Sequence, residues 1–150
     1  NDTAPTSSVF SVGTSNETNT NTESFIAYLF SEKQGFSKFS SFTGTESATT
    51  APFIYTGFRP STIIFKPDAS ANWTIVDTTR NTVNPVADKT INLDLSAGNE
   101  HDGSADLDIL SNGFKIRNAN TDTNYSGNII YAAWAEAPFV NSNGVPCNAR

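Results

Sequence analysis

Residues 7–32 read SSVFSVGTSNETNTNTESFIAYLFSE, and residues 111–136 read SNGFKIRNANTDTNYSGNIIYAAWAE. Laid over one another without a gap, they align Phe10 with Phe114, Val12 with Ile116, Asn16 with Asn120, Ile26 with Ile130, Phe30 with Trp134 and Glu32 with Glu136, at a constant offset of 104 residues. Each copy runs from a short apolar strand pattern, through a loop of Asn and Thr, to a longer apolar run ending at a carboxylate. That order of features predicts a β-hairpin with a long loop. Residues 33–110 occur once, so the repeat period is close to the length of one small domain. Two organisations fit. Either one sandwich holds two related hairpins, or one whole module is preceded by the end of the previous module in a tandem array, since arrays repeat at domain length.

Working outward from the copies, residues 1–6 are polar, hold Pro5 and read as a linker or strap. In the first copy Phe25, Ile26, Ala27, Tyr28, Leu29 and Phe30 are consecutive rather than alternating, which predicts a strand over 24–31 covered on both faces. Phe36, Phe39 and Phe42 do not share one face of an ideal strand, so a half-buried strand there needs a bulge or break. Residues 52–58 and 61–66 predict two strands joined through Gly57, Phe58, Arg59 and Pro60, with the run from Thr62 to Phe65 in the core. Residues 73–76 predict another strand. Ile91, Leu93 and Leu95 alternate with Asn92 and Asp94, a one-sided strand pattern. A long connection holds Pro85, residues 97–105 form a Gly- and acid-rich loop, and Asn112-Gly113 predicts a tight turn. About nine or ten short strands without sustained helical periodicity give an all-β fold, an antiparallel, jelly-roll-like β-sandwich. Its module spans 7–140, with 7–32 either the end of a preceding repeat or an exchanged arm, and 141–150 a flexible tail.

Composition narrows the function. The chain has 150 residues, suited to one core. Fifteen acidic residues face nine basic ones, for a net charge of −6, with no Lys/Arg cluster. This argues against a nucleic-acid surface, whose affinity rests on several basic contacts to phosphate, and against docking on an anionic membrane. No apolar run is long enough for a membrane span, and no signal-peptide pattern is present. The absence of Met leads to the expectation of a processed product or a fragment. Cys147 is the single cysteine, so no intrachain disulfide forms.

Candidate chemistry is sparse. His101 sits among Asn99, Glu100, Asp102 and Ser104, but no Ser lies in a Gly-x-Ser-x-Gly setting, and a solvated loop histidine is expected. Asp102, Asp106 and Asp108 offer oxygen ligands without the spacing of a calcium loop. Asn118, Asn120, Asp122 and Asn124 alternate, but the aligned Thr14, Asn16, Thr18 and Thr20 lose the carboxylate. No metal, cofactor or catalytic residue is therefore assigned. Glu32 and Glu136 end equivalent strands, which predicts partners closing the sheet rather than an acid pair for glycoside hydrolysis. Aromatic side chains near polar loops stack on sugar rings, making Tyr55, Trp73 and Tyr125, with Asn120 and Asp122, the candidate ligand-binding residues. Aromatics within strands more often pack in cores, the role expected of Trp73 and Trp134. Asn-x-Ser/Thr sequons lie at Asn1, Asn16, Asn72 and Asn124.

The segments GFSKF and FTG at 35–44, PFIYTGFRP at 52–60, NWTI at 72–75, LSNGFKIR at 110–117 and YAAWAEAPF at 131–139 resemble β-rich modules near the C-termini of large tail-fibre and structural proteins of marine bacteriophages. The resemblance spans residues 7–140, while residues 140–147 depart from the usual short tail. It implies a non-enzymatic virion surface module, extracellular and homotrimeric or polymeric, that attaches to a host cell-surface saccharide or protein and contacts other virion proteins. It implies neither nucleic-acid binding nor membrane insertion. Binding would fall to the loops at 16–22, 97–105 and 118–126, because sandwiches present loops on a rigid frame. The alternative is a structural subunit of an extracellular filament or a capsid decoration, in which residues 1–13 add a strand to a neighbour. A polysaccharide depolymerase is the third reading.

Overall fold

A computed structural model describes residues 3–80, 89–96, 100–101 and 106–137. The connection holding Pro85, most of the 97–105 loop with Asp102, the side chain of His101 and the tail with Cys147 lie outside the described residues. The chain divides into two units, Asn1–Phe30 and Ser31–Arg150.

Among the described residues of the first unit the one regular element is a single helical turn, α1 (Asn16–Asn19). Ser15 precedes it in extended conformation and accepts from the amide of Asn19 at 2.8 Å. Asn19 Nδ2 also donates to the carbonyl of Gly13 at 2.8 Å, closing the Asn/Thr loop on itself as short polar side chains do. Thr22 takes a left-handed φ of 71°, unusual for a β-branched residue. None of residues 3–30 is buried. This corrects the strand expected over 24–31. That segment belongs to no strand, and Ile26 and Tyr28 are each 81% exposed. Consecutive apolar residues mark a strand that needs cover on both faces, and this unit has no sheet to supply it.

The second unit is an all-β antiparallel sandwich. Its elements are β1 (Ser37–Thr43), β2 (Phe53–Tyr55), β3 (Pro60–Pro67), β4 (Thr74–Asp77), β5 (Thr90–Asn92), β6 (Glu100–His101), β7 (Leu107–Leu110), β8 (Gly113–Ile116), the helical turn α2 (Thr121–Asn124) and β9 (Asn128–Ala135). One sheet has the order β1-β9-β3-β4-β5-β6 and the other β2-β8-β7. β9 lies between β1 and β3, placing Ile129, Tyr131, Ala133 and Ala135 inward. Across the sandwich Phe114 of β8 meets Phe65 of β3 and Tyr131 of β9 edge to face, with ring centres 5.5 and 5.6 Å apart. Such pairs contribute roughly 0.5–1.5 kcal/mol beyond the area they bury. Phe58, Ile63, Val76, Leu107 and Ile116 complete the dry centre.

Several expectations change in detail. The second copy is not a hairpin: β8 pairs with β2 and β7, β9 with β1 and β3, so residues 111–136 form an arch that crosses from one sheet to the other. β1 runs in unbroken register with β9, without a bulge. The phenylalanines divide instead, with Phe36 exposed ahead of the strand, Phe39 edge-on to Trp134 at 5.6 Å, and Phe42 against the core. The register shift occurs in β3, between Pro60 and Thr62. β5 is shorter than the alternation of Ile91, Leu93 and Leu95 suggested. It buries Thr90, while Leu93 and Leu95 are exposed in the turn that follows. The tight turn expected at Asn112-Gly113 falls one residue earlier, as a two-residue link at Ser111-Asn112 between β7 and β8, with Gly113 already in β8.

Candidate functional site

Gly113 fixes one end of the second unit and α2 the other. Gly113 starts β8 opposite Tyr55, and β8 ends at Ile116 before the chain turns through α2 into β9. Four candidate residues, Trp73, Asn120, Asp122 and Tyr125, lie at the α2 end, whereas Tyr55 lies at the other.

At the α2 end the alternating Asn residues work as scaffolding. Asn118 Oδ1 accepts from the Asn120 amide at 3.0 Å and from Thr123 Oγ1 at 3.3 Å. Asn120 Oδ1 caps the helical turn by accepting from the Asp122 amide at 2.7 Å. Asn124 is fully buried. Its Nδ2 donates to the Asn118 carbonyl at 2.6 Å and the Ser47 carbonyl at 3.3 Å, while its Oδ1 accepts from the Thr45 amide at 2.9 Å. The neighbouring Glu46, at a left-handed φ of 48°, donates its amide to the Asn124 carbonyl at 2.7 Å. The loop at 44–47 is thus held to the loop after β8 by a nearly closed set of polar partners, as a buried amide requires. Asn124 therefore serves packing, and its sequon is inaccessible in the folded chain.

Asp122 brings in Trp73. Its Oδ1 accepts from the backbone amide of Asn72 at 3.0 Å and its Oδ2 from Asn72 Nδ2 at 3.2 Å. The next residue, Trp73, leaves 41% of its surface exposed, and its amide donates to Asp94 Oδ2 at 3.2 Å. Trp134, expected in the core, lies outside the buried cluster, and Trp73 does too, which corrects the packing expected of both. Trp73 stands out because β4 begins one residue later, with Thr74 and Val76 taking the inward face. Tyr125 is half-buried against the core and lies close to Gly127, where an added Cβ would come within 2.4 Å of its Cε1. Of the polar candidates, Asn120 and Asp122 hold the loop, and the exposed Trp73 ring is the face left for contact.

At the other end Tyr55, 64% exposed, lines a cavity of about 210 Å³ with Glu32, Gln34, Lys38 and Gly57. Lys38 Nζ donates to Glu32 Oε1 at 2.8 Å. That bond holds the Glu32 carboxyl below the ordinary carboxylate range and pushes the Lys38 ammonium up. Glu136, at the equivalent place in the repeat, accepts from Arg59 Nε at 2.8 Å. Both carboxylates thus serve as ion-pair partners, but only Glu136 follows a strand, since Glu32 ends none. Sequence reasoning missed Lys38, Gln34 and Asn72, since their roles depend on pairings that residue types alone do not announce.

Among the described residues no group of three or more His, Cys, Asp and Glu side chains is placed to hold a metal ion. Asp108, one of the three carboxylates considered for calcium, is buried and accepts from Arg117 Nε at 2.6 Å. No described helix is long and apolar enough to cross a membrane.

No curated protein matches the chain, and no solved structure does. The match that exists is to a family pattern spanning residues 1–138, which takes in both copies of the repeat and everything between them. The chain belongs to the family described as a domain of unknown function, DUF7483.

Proposed function

We propose that the chain is a non-enzymatic virion surface module, of the tail-fibre type, that attaches to a host-surface saccharide through the α2 end of its sandwich. The observation that carries this reading is the Asn72–Asp122 pair, which seats the exposed Trp73 ring beside loops of Asn, Thr and Asp on a rigid β frame. An aromatic face flanked by amide and carboxylate groups suits a sugar, whose C–H face stacks while its hydroxyls exchange hydrogen bonds. The resemblance to phage tail-fibre modules and the acidic composition, rich in Ser, Thr and Asn, support the same reading. Contact at each site is weak, and attachment gains strength from several copies displayed together.

A glycan array and binding to host cells, using the assembled chain, test it. Trp73→Ala is expected to lower binding at least tenfold, and Tyr55→Ala to leave it within twofold, with both variants folded by circular dichroism. Loss with Tyr55→Ala and retention with Trp73→Ala would move the site to the Glu32–Lys38 cavity. Absence of saccharide and cell binding by the intact assembly would refute the attachment reading. The second reading, a structural subunit assembled by strand addition, draws support from the exposed apolar side chains of the first unit. Electron microscopy distinguishes a terminal knob from a continuous polymer.

A further inference from the structure

The repeat and the sandwich together assign a destination to the exposed segment. Subtracting the offset of 104 maps the buried β9 residues Ile129, Tyr131 and Ala133 onto Phe25, Ala27 and Leu29, an apolar trio of similar total bulk with large and small exchanged. It maps the buried β8 residues Phe114 and Ile116 onto Phe10 and Val12. The helical turns correspond as well: α2 begins one residue after Asn120, and α1 begins at the aligned Asn16. Even a substitution pair is consistent. Gly127 avoids the Tyr125 ring, and the first copy, which has Asn21 in place of that ring, tolerates Glu23 in place of the glycine. Yet Phe25, Ile26, Tyr28 and Leu29 are all exposed and lie in no strand.

We infer that residues 7–30 are the closing β8–α2–β9 arch of another unit of this fold, carried in tandem on the same polypeptide, whose central strand position they fill. Phe25, Ala27 and Leu29 point into that unit's core, and its β1- and β3-like strands flank them. The partner is a relative of this unit rather than an identical copy. Val9 falls at the position of Gly113, where a Cβ would lie 2.0 Å from the carbonyl oxygen of Ile54, so the partner's β2-like strand must leave room for it. This assignment is independent of what the module binds.

The test is a tandem chain in which residues 31–110 of a second copy are joined directly to residue 7 of the protein in place of residues 1–6, keeping the offset. Val9 is changed to Gly to suit this acceptor. Hydrogen exchange should show the amides of 24–29 slowed roughly 100-fold or more relative to the protein without the added segment. Changing Phe25 and Leu29 to Asp in the tandem should abolish that slowing, and restoring Val9 should weaken it. Unprotected amides in the V9G tandem would overturn the inference. So would protection that survives the two Asp substitutions, and so would protection already present in the protein without the added segment, which would indicate pairing at a sheet edge instead.

Discussion

Single atoms set the tolerances at several positions of the second unit. Phe114 meets Phe65, Tyr131 and Phe42 through edge-to-face ring contacts with centres within 6.3 Å, and it is wholly buried. Phe114→Ala is therefore expected to cost about 3–5 kcal/mol, read as a lower urea midpoint. Gly113 is a different case, since its φ is not left-handed and the reason for glycine is proximity rather than conformation. Gly113→Ala must push β2 away from β8, which is expected to cost about 1–3 kcal/mol. An unchanged midpoint would show that the strands can separate freely. Asn124→Ala removes a buried amide, takes the side-chain acceptor from the Thr45 amide and takes one donor each from the carbonyls of Asn118 and Ser47. Its expected cost is about 3 kcal/mol, since unpaired buried polar groups bear their full desolvation penalty.

The end of β4 and the turn after it contribute one part of the pH response. Burial pushes the Asp77 carboxyl up, but the amides of Arg80 and Thr79 and the Arg80 guanidinium outweigh it, leaving the group below its ordinary value. A depressed carboxylate stabilises the fold above its unfolded-state pKa, and that contribution is lost as pH falls through the folded-state value. Stability measured by urea titration should thus decline in acid, and Asp77→Asn should flatten part of that decline. Which elements form was partly legible from sequence. The strand over residues 61–66 and the all-β class could be read from residue periodicity, but the run from Thr62 to Phe65 expected in the core alternates, with only Ile63 and Phe65 buried, and the turn expected at Asn112-Gly113 falls one residue earlier. What periodicity cannot report is which strand supplies the neighbour. The run from Phe25 to Leu29 has the pattern of a central strand without a sheet beside it, and Leu93 and Leu95 alternate beyond the end of β5. The candidate site was legible as residue types, but Trp73 joins Asp122 only through Asn72, fifty positions away in sequence.

For the whole molecule the consequence is a separation of roles. All the clustered core residues fall between Ala51 and Ala135, so the hydrophobic stabilisation of the sandwich is drawn from the second unit. Trp73, Asp122 and the loops around them are in that unit too, while none of residues 3–30 is buried or belongs to the core cluster. Removing residues 1–30 should then leave the melting temperature within about 4 °C, the shift that 1 kcal/mol produces in a domain of this size. Binding at a single site, read with monomeric material and a soluble saccharide, should also persist. What should fall is attachment to a surface that engages many units at once, because linked copies gain avidity from effective concentration rather than from new contacts. A large drop in melting temperature would place the first thirty residues in the core, and equal surface attachment by the shortened chain would detach them from assembly.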